Sequence, residues 1–202
     1  MNDAIDLTSA YPPPGAGDLD ALRDRLAAEA DAAQLLDLTY RTVDSPLGTL
    51  LLVASPDGLV RVAFDCEDHE VVLEQLAAAV SPRILASGRR SEDAARQLEE
   101  YFEGRRRHFE LPLDLRLVSG FRRTVVERLS DIPYGGTASY AAMAASAGNP
   151  GAVRAAGSAC SHNPVPVVVP CHRVVRSDGK IGDYLGGTEA KRALLDLESA
   201  AA

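Results

Sequence analysis

Apolar and β-branched residues recur in three short runs at the start of the regular part of the chain. Residues 38–43, 49–55 and 58–64 read LTYRTV, TLLLVAS and GLVRVAF. The SPLG and SPDG segments between these runs supply the residues that tight turns need. This pattern predicts an antiparallel meander of three strands.

Helical periodicity replaces the strand pattern after the third run. Two helices are predicted, over about residues 68–80 and 91–102, and Gly104 ends the second. With the meander, these helices predict a small domain of mixed sheet and helix over residues 38–114.

Residues 115–202 are predicted to be mostly helical. Ser119 is a candidate N-cap for one helix and Ser139 for a second. A GNP turn follows, with Asn149 expected as the cap and Pro150 as the first residue of a third helix. Two short helices across a turn that contains glycine make a helix-turn-helix candidate.

The third helix has an unusual composition for a DNA reader. Between residues 152 and 161 it carries Ala, Gly, Ser and Cys with a single cation, Arg154. A helix that reads the major groove presents several long polar side chains, whereas small side chains allow the close backbone approach that suits the narrow minor groove. The same composition fits a helix packed in a core, and the residues alone leave both interpretations open.

Charge is unevenly distributed along the chain. The net charge is -8, but residues 119–202 hold nine Lys and Arg against seven Asp and Glu, which leaves -10 for residues 1–118. Phosphate contacts need cations, so only the second half is expected to approach DNA.

Residues 1–37 are predicted to form an acidic extension. They hold eight Asp and Glu against two Arg, and part of the segment can form a helix. Two interpretations stay open: the helix lies over the less acidic half and competes with phosphate, or the segment is a solvated tail.

The cellular compartment is predicted from two features that the sequence lacks. No apolar run is long enough to span a membrane, and the first residues lack the basic and apolar regions of a signal peptide. A cytoplasmic protein whose three cysteines are reduced thiols is expected.

The candidate chemistry lies in residues 165–175, VPVVVPCHRVV, read here as an apolar extended run that ends in Cys171, His172 and Arg173. In one interpretation Cys171 is a small core residue, since free cysteines are often buried. In another it is a nucleophile, which needs a base, a cation or a helix N-terminus to lower its pKa. A cysteine protease would place its histidine far away in sequence, at His69, His108 or His162.

A metal site built from Cys160, His162, Cys171 and His172 is disfavoured. In an extended segment neighbouring side chains point to opposite faces, and the spacings do not match those of zinc sites. No metal is therefore predicted.

Several motifs accompany PCHRVV, in an order and at spacings that together resemble the O6-alkylguanine-DNA alkyltransferase family. The resemblance covers about residues 38–198. Its motifs are IPYG at 132–135, SYAAMA at 139–144, GNP at 148–150, RAAG at 154–157, NPVP at 163–166, PCHRVV at 170–175 and GDYLGG at 182–187.

The resemblance implies a role for each residue of the reaction centre. Cys171 matches the alkyl acceptor, His172 the general base that acts through a water, and Glu198 the carboxylate that orients His172. Asn163 matches the residue that holds the turn before the acceptor. Tyr140 matches the tyrosine that helps to turn the nucleotide out of the duplex and protonates the leaving guanine.

The resemblance also implies how DNA is held. Arg154 matches the arginine that fills the vacated place in the duplex, and the small residues of the same helix, Ala155, Gly157 and Ser158, are expected against the DNA. The pocket for the flipped base is expected to be formed by the backbone of Val174 and by the lid residues Tyr184, Leu185 and Gly186.

The implied fold is α+β, with an N-terminal ribonuclease-H-like domain that has no catalytic role and a C-terminal winged helix-turn-helix domain, over residues 115–202, that carries the active site. The implied function is DNA repair by direct reversal. One alkyl group moves from O6-methylguanine in double-stranded DNA to Cys171, with O4-methylthymine as a further candidate substrate. The protein acts once, as a monomer, with no cofactor and no membrane partner.

Three positions depart from the family pattern. Ala156 stands where valine is usual, Arg122 where glutamine is common, and Asp183 where glycine or asparagine is common. They bear on alkyl-size preference and DNA affinity. Two alternatives stay open: a non-catalytic alkyltransferase-like protein, although such relatives lack the acceptor cysteine, and a transcriptional regulator that uses the helix-turn-helix.

Overall fold

The computed structural model describes residues 16–200, and the first part of that range forms a four-stranded sheet with helices. The elements are α1 (Ala16–Ala32), β1 (Leu38–Val43), β2 (Leu50–Ser55), β3 (Gly58–Phe64), α2 (His69–Ala79), β4 (Ile84–Ala86) and α3 (Glu92–Phe102). The strand order is β3-β2-β1-β4; β1, β2 and β3 are antiparallel neighbours, and β4 runs parallel to β1. The predicted meander and both predicted helices are confirmed, whereas β4 was not predicted.

Both faces of the sheet are covered, because every residue of β2 is buried. Alternation along β2 turns Leu51 and Val53 towards a core that α2 completes. Leu50 and Leu52 belong to the other core, which contains side chains of α3 and of the helical second half. One continuous core therefore joins the two halves of the molecule.

The second half is a group of helices with one short parallel strand pair. Its elements are α4 (Gly120–Leu129), β5 (Ala138–Ser139), α5 (Tyr140–Ser146), α6 (Val153–Ser161), β6 (Val174–Val175) and α7 (Gly187–Ala200). β5 pairs in parallel with β6. Helices α4, α5 and α6 contact one another, and α7 packs beside the turn at Cys171–Arg173.

Two helix starts follow the sequence and one does not. Ser139 caps α5 as predicted, with its hydroxyl accepting from the amide of Ala142 at 3.1 Å, and Ser119 directly precedes α4 without a side-chain cap. The prediction that α6 begins at Pro150 is wrong. Residues 149–152 form a turn instead, closed by a hydrogen bond from the amide of Ala152 to the carbonyl of Asn149 at 3.0 Å.

Residues 1–15 of the predicted acidic extension lie outside the described residues. The described remainder contains α1, which lies beside β4 at the edge of the sheet. Arg90 ties it there through an ion pair with Asp31 and through bonds to the carbonyls of Leu36 and Asp37. This part of the extension therefore packs on the N-terminal domain, neither covering the second half nor hanging free.

Candidate active site

A compact loop presents Cys171. The extended run predicted for residues 165–175 is wrong except at Val174 and Val175, which form β6. The amide of Val169 donates to the carbonyl of Val165 at 2.8 Å, which folds the loop back on itself. Val167 adopts a left-handed conformation with φ of 72°, and residues 171–173 form a single 3-10 turn. The two prolines in this stretch, Pro166 and Pro170, lack an amide hydrogen and so cannot sustain a strand.

Asn163 holds this loop and touches the thiol. Its Nδ2 donates to the carbonyl of Val169 at 2.8 Å and to Sγ of Cys171 at 3.1 Å, while its Oδ1 accepts from the amide of Val165 at 3.1 Å. Asn163 is completely buried and Cys171 is 2% exposed. One side chain therefore fixes both ends of the loop and points a donor at the sulfur.

His172, the residue that follows Cys171, forms a buried pair with Glu198. Nε2 of His172 lies 2.9 Å from Oε1 of Glu198, and neither side chain is exposed. Because an ionised carboxylate can only accept, Nε2 carries the proton and Nδ1 has a free lone pair. Nδ1 is buried and has no hydrogen-bond partner in the described structure.

Three other residues complete the surroundings of the Glu198 carboxylate. Arg173 donates from Nε to Oε2 and from Nη2 to Oε1, both at 2.9 Å. Tyr101 donates its hydroxyl to Oε1 at 2.7 Å, and the amide of Gly135 donates to Oε2 at 3.1 Å. The carboxylate is thus paired with a buried cation and with donors from both domains.

The environment moves the pKa values of the three central groups. Burial raises the pKa of Cys171 to about 11, although Asn163 and the nearby charge of Lys191 act the other way. Burial lowers the pKa of His172 against the opposing effect of Glu198. For Glu198, burial favours a higher pKa, but the bonds from His172 and Arg173 outweigh it and hold the pKa at about 2. A neutral thiol thus lies beside a neutral imidazole and an ionised carboxylate.

Arg173, Lys191 and Tyr101 were not predicted as site residues. Nζ of Lys191 donates to the carbonyl of Val174 at 2.6 Å from a fully buried position. A signal for Lys191 existed in the sequence, because it shares a helical face with Leu194 and Glu198 at the i, i+3 and i+7 positions. The position of Arg173 inside an apolar run was a weaker signal, and Tyr101 had none.

A cleft of about 400 Å³ opens between α6 and the segment before α7. Tyr140 and Arg154 line it, with Gly157, Cys160 and Asp183 among the other lining residues. Burial raises the pKa of Tyr140, with smaller effects from Cys160 and Asp183, so its hydroxyl stays protonated at neutral pH. The structure thus brings Tyr140 and Arg154 together in one cleft, whereas Cys171, Val174 and the lid residues 184–186 do not line it.

The residues predicted to face DNA lie within α6. Arg154 and Ala155 are exposed, whereas Gly157 and Ser158 are partly buried. Among the departures from the family pattern, Ala156 is buried on the opposite side of this helix, and Arg122 and Asp183 are exposed.

The predicted lid lies against the N-terminal domain. The ring of Tyr184 lies edge-on to Phe64, with centroids 5.6 Å apart, and edge-on to His172 at 6.3 Å. A Cβ added at Gly186 would lie 2.8 Å from the Phe64 ring. The carbonyl of Leu185 accepts a weak bond from the thiol of Cys66 at 3.7 Å. Phe64 therefore packs closely against the lid.

Within residues 16–200, no three or more His, Cys, Asp or Glu side chains are grouped so that they could hold a metal ion. His162, one of the four residues of the disfavoured metal site, is exposed, and its Nδ1 lies 2.7 Å from the carbonyl oxygen of Ser158. None of the described helices is long and apolar enough to cross a membrane.

Two family models match the chain. The model described as "6-O-methylguanine DNA methyltransferase, ribonuclease-like domain" matches residues 38–115, and the one described as "6-O-methylguanine DNA methyltransferase, DNA binding domain" matches residues 120–200. The methylated-DNA–protein-cysteine methyltransferase of Mycolicibacterium paratuberculosis is 42% identical over 161 residues, which cover 80% of this chain and 92% of that protein.

Solved structures give the same result. The Mycobacterium tuberculosis O6-methylguanine methyltransferase superposes with a TM-score of 0.72 at 38% identity, over 82% of this chain and 94% of that one. The M. tuberculosis OGT in complex with DNA superposes with a TM-score of 0.69 at 40% identity, over 81% and 94% of the two chains. The predicted two-domain α+β fold and the predicted family are confirmed, and the chain belongs to the O6-methylguanine DNA methyltransferase family.

Proposed function

We propose that this chain repairs DNA by direct reversal, moving one alkyl group from O6 of guanine to Sγ of Cys171. The observation that carries the proposal is the arrangement around that thiol. The buried sulfur of Cys171 accepts a hydrogen bond from Asn163. The next residue, His172, has a buried imidazole whose Nε2 is hydrogen-bonded to Glu198. The curated relatives are named for this activity.

The thiol needs a base because the pKa of Cys171 is about 11. Neutral His172 can accept the thiol proton at Nδ1 through one water, since this nitrogen is buried and unpaired. Glu198 then stabilises the imidazolium that forms, as the carboxylate does in other acid, histidine and nucleophile arrangements. Arg173 balances the charge of Glu198 beforehand, which keeps His172 neutral until the proton moves.

Alkyl transfer itself is a displacement at carbon. The bond from Sγ of Cys171 to the alkyl carbon forms as the bond from that carbon to O6 breaks, and the electron pair stays on guanine. Tyr140, whose hydroxyl is protonated at neutral pH, supplies a proton to the leaving base. To give up the alkyl group again, Cys171 would have to leave as a thiolate, which is a poor leaving group from an unactivated alkyl carbon, so the protein reacts once.

DNA is the proposed partner, as in the M. tuberculosis OGT complex. We place α6 in the minor groove of double-stranded DNA, because its exposed face carries small side chains beside Arg154. Arg154 enters the duplex as the alkylated nucleotide turns out, which offsets the cost of unstacking. The base enters the cleft at Tyr140. Val174 and the lid residues 184–186 do not line that cleft, and their place around the base rests on the family resemblance. The protein acts as a cytoplasmic monomer.

Intact-mass measurement tests the proposal. The full chain is incubated with a duplex oligonucleotide that contains O6-methylguanine, and the expected result is a gain of one methyl group per protein. The gain should persist in Cys66→Ser and Cys160→Ser and disappear in Cys171→Ser. A methyl group gained by the Cys171→Ser protein would overturn the assignment of the acceptor. Tight binding of the damaged duplex without any mass gain would instead support the non-catalytic alternative.

A further inference from the structure

Tyr101 connects the N-terminal domain to the reaction centre. It lies in α3, is completely buried, and donates its hydroxyl to Oε1 of Glu198 at 2.7 Å across 97 residues of sequence. We propose that Tyr101 is a positioning residue, which holds Glu198 and through it His172 in the geometry that transfer to Cys171 needs. The inference rests on the proposed function and gives the N-terminal domain a part in the reaction.

The Tyr101 hydroxyl is directed by a rigid aromatic cluster. Its ring centroid lies 5.5 Å from that of Phe102, 5.2 Å from that of Phe109 and 6.1 Å from that of Tyr134. These contacts involve the ring and not the hydroxyl. A phenylalanine at this position would keep all of them and remove only the bond to Glu198.

The bond acts on the same oxygen that His172 uses. Oε1 of Glu198 accepts from Tyr101, from Nε2 of His172 and from Nη2 of Arg173. A second donor to the oxygen that accepts from the imidazole draws negative charge away from the imidazole and restrains rotation of the carboxylate. Loss of the hydroxyl therefore has two effects: the carboxylate is less fixed, and more of its charge acts on the imidazole, which raises the pKa of His172.

The pKa of His172 also depends on the other charged and titratable groups around the imidazole. They are Glu198 and Lys191 of α7, Arg173 and Cys171 of the same turn, and Tyr184 of the lid. Tyr101→Phe replaces none of them, so the expected rise in the pKa of His172 comes from the lost hydroxyl alone.

The test compares Tyr101→Phe with Tyr134→Phe in the full chain. Tyr134 is the matched control, because its hydroxyl lies in the same cluster and has no hydrogen-bond partner in the described structure. The rate of reaction with free O6-benzylguanine is measured from pH 5 to 10. Tyr101→Phe is expected to slow the reaction about tenfold at pH 7, which is the effect of one hydrogen bond to a charged group. It should also move the acid limb of the pH–rate profile to higher pH. Tyr134→Phe should leave the rate at pH 7 and the acid limb unchanged.

A second measurement does not depend on alkyl transfer. In the unreactive Cys171→Ser background, the imidazole of His172 is titrated by NMR with and without Tyr101→Phe, and its pKa is expected to rise in the variant. If the parent never transfers an alkyl group, the proposed function fails while this titration still reports on Tyr101. An unchanged rate, acid limb and titration in a folded Tyr101→Phe protein would overturn the inference.

A third measurement needs no substitution at Tyr101. In the parent, its buried hydroxyl proton should appear as a slowly exchanging downfield resonance that shifts as His172 titrates. A resonance that is absent, or that does not respond to the titration, would count against the inference even if Tyr101→Phe failed to fold.

Discussion

Replacing His172 by glutamine tests how the thiol becomes a nucleophile. Glutamine has a similar size and retains a donor for Glu198, but it has no basic nitrogen. If His172 accepts the thiol proton, the variant reacts only through the thiolate that forms by equilibrium with solvent. The parent should be insensitive to pH wherever His172 is neutral, and the variant should depend on pH throughout.

The expected loss of rate in His172→Gln follows from the pKa of about 11 for Cys171. At pH 7 about one molecule in 10⁴ then carries a thiolate, a deficit of about 5.5 kcal/mol. General bases contribute about 10²- to 10⁴-fold, so the variant should lose that much rate at pH 7. Its rate should rise about tenfold per pH unit up to the pKa of the thiol, so the loss shrinks towards pH 10. Burial lowers the pKa of His172, so the parent rate should be flat from neutral pH upwards and fall only on the acid side.

The assay is the second-order rate with free O6-benzylguanine between pH 5 and 10, with folding checked by circular dichroism at each pH. His162→Gln is the matched control, because this exposed histidine lies at the end of α6, away from Glu198. A parent rate that itself climbs tenfold per pH unit, or a slow variant rate that ignores pH, would refute the role of His172 in ionising the thiol.

Two further predictions concern DNA and the lid. Arg154→Ala should slow transfer from duplex DNA and leave the rate with free O6-benzylguanine nearly unchanged, since only the duplex requires extrusion of a base; equal loss on both substrates would contradict this role. Gly186→Ala should lower the free energy of unfolding by about 1–3 kcal/mol, because the added Cβ would meet the Phe64 ring at 2.8 Å. The same substitution should slow the reaction with benzyl substrates more than the reaction with methyl substrates. Melting curves and paired rate measurements check this, and Phe64→Leu should restore part of the loss.

Local pattern predicted most of the elements. The strands at 38–43 and 58–64 were correct to the residue because turn residues bound an apolar run. The strand Ile84–Ala86 escaped because three residues show no alternation, and only its pairing with β1 makes it a strand. The start of α6 was misplaced because Pro150 is as suitable for a turn as for a first helical residue.

The reaction centre was predicted less completely, because its supporting contacts are distant in sequence. Arg173 and Lys191 are charged side chains that sequence reasoning assigns to the surface, yet both are buried against partners 25 and 17 residues away. Tyr101 reaches Glu198 only because the domains share a core. Apolar composition suggested a strand where Pro166, Pro170 and the Asn163 side chain impose a loop. The roles carried over for Tyr140, Arg154 and the lid stay predictions.

Val167 holds a left-handed backbone conformation in the loop that carries the acceptor thiol. For a β-branched residue this costs about 1–3 kcal/mol, and the bonds of Asn163 and Val169 maintain it. The loop therefore loses its conformational freedom during folding and not when a damaged base arrives. Enzymes that turn over must reopen to release product, and that motion often limits their rate. A protein that keeps the alkyl group on its own cysteine still releases the repaired DNA, but it never uses this loop for a second transfer. Rigidity here therefore favours the single transfer and slows no later turnover.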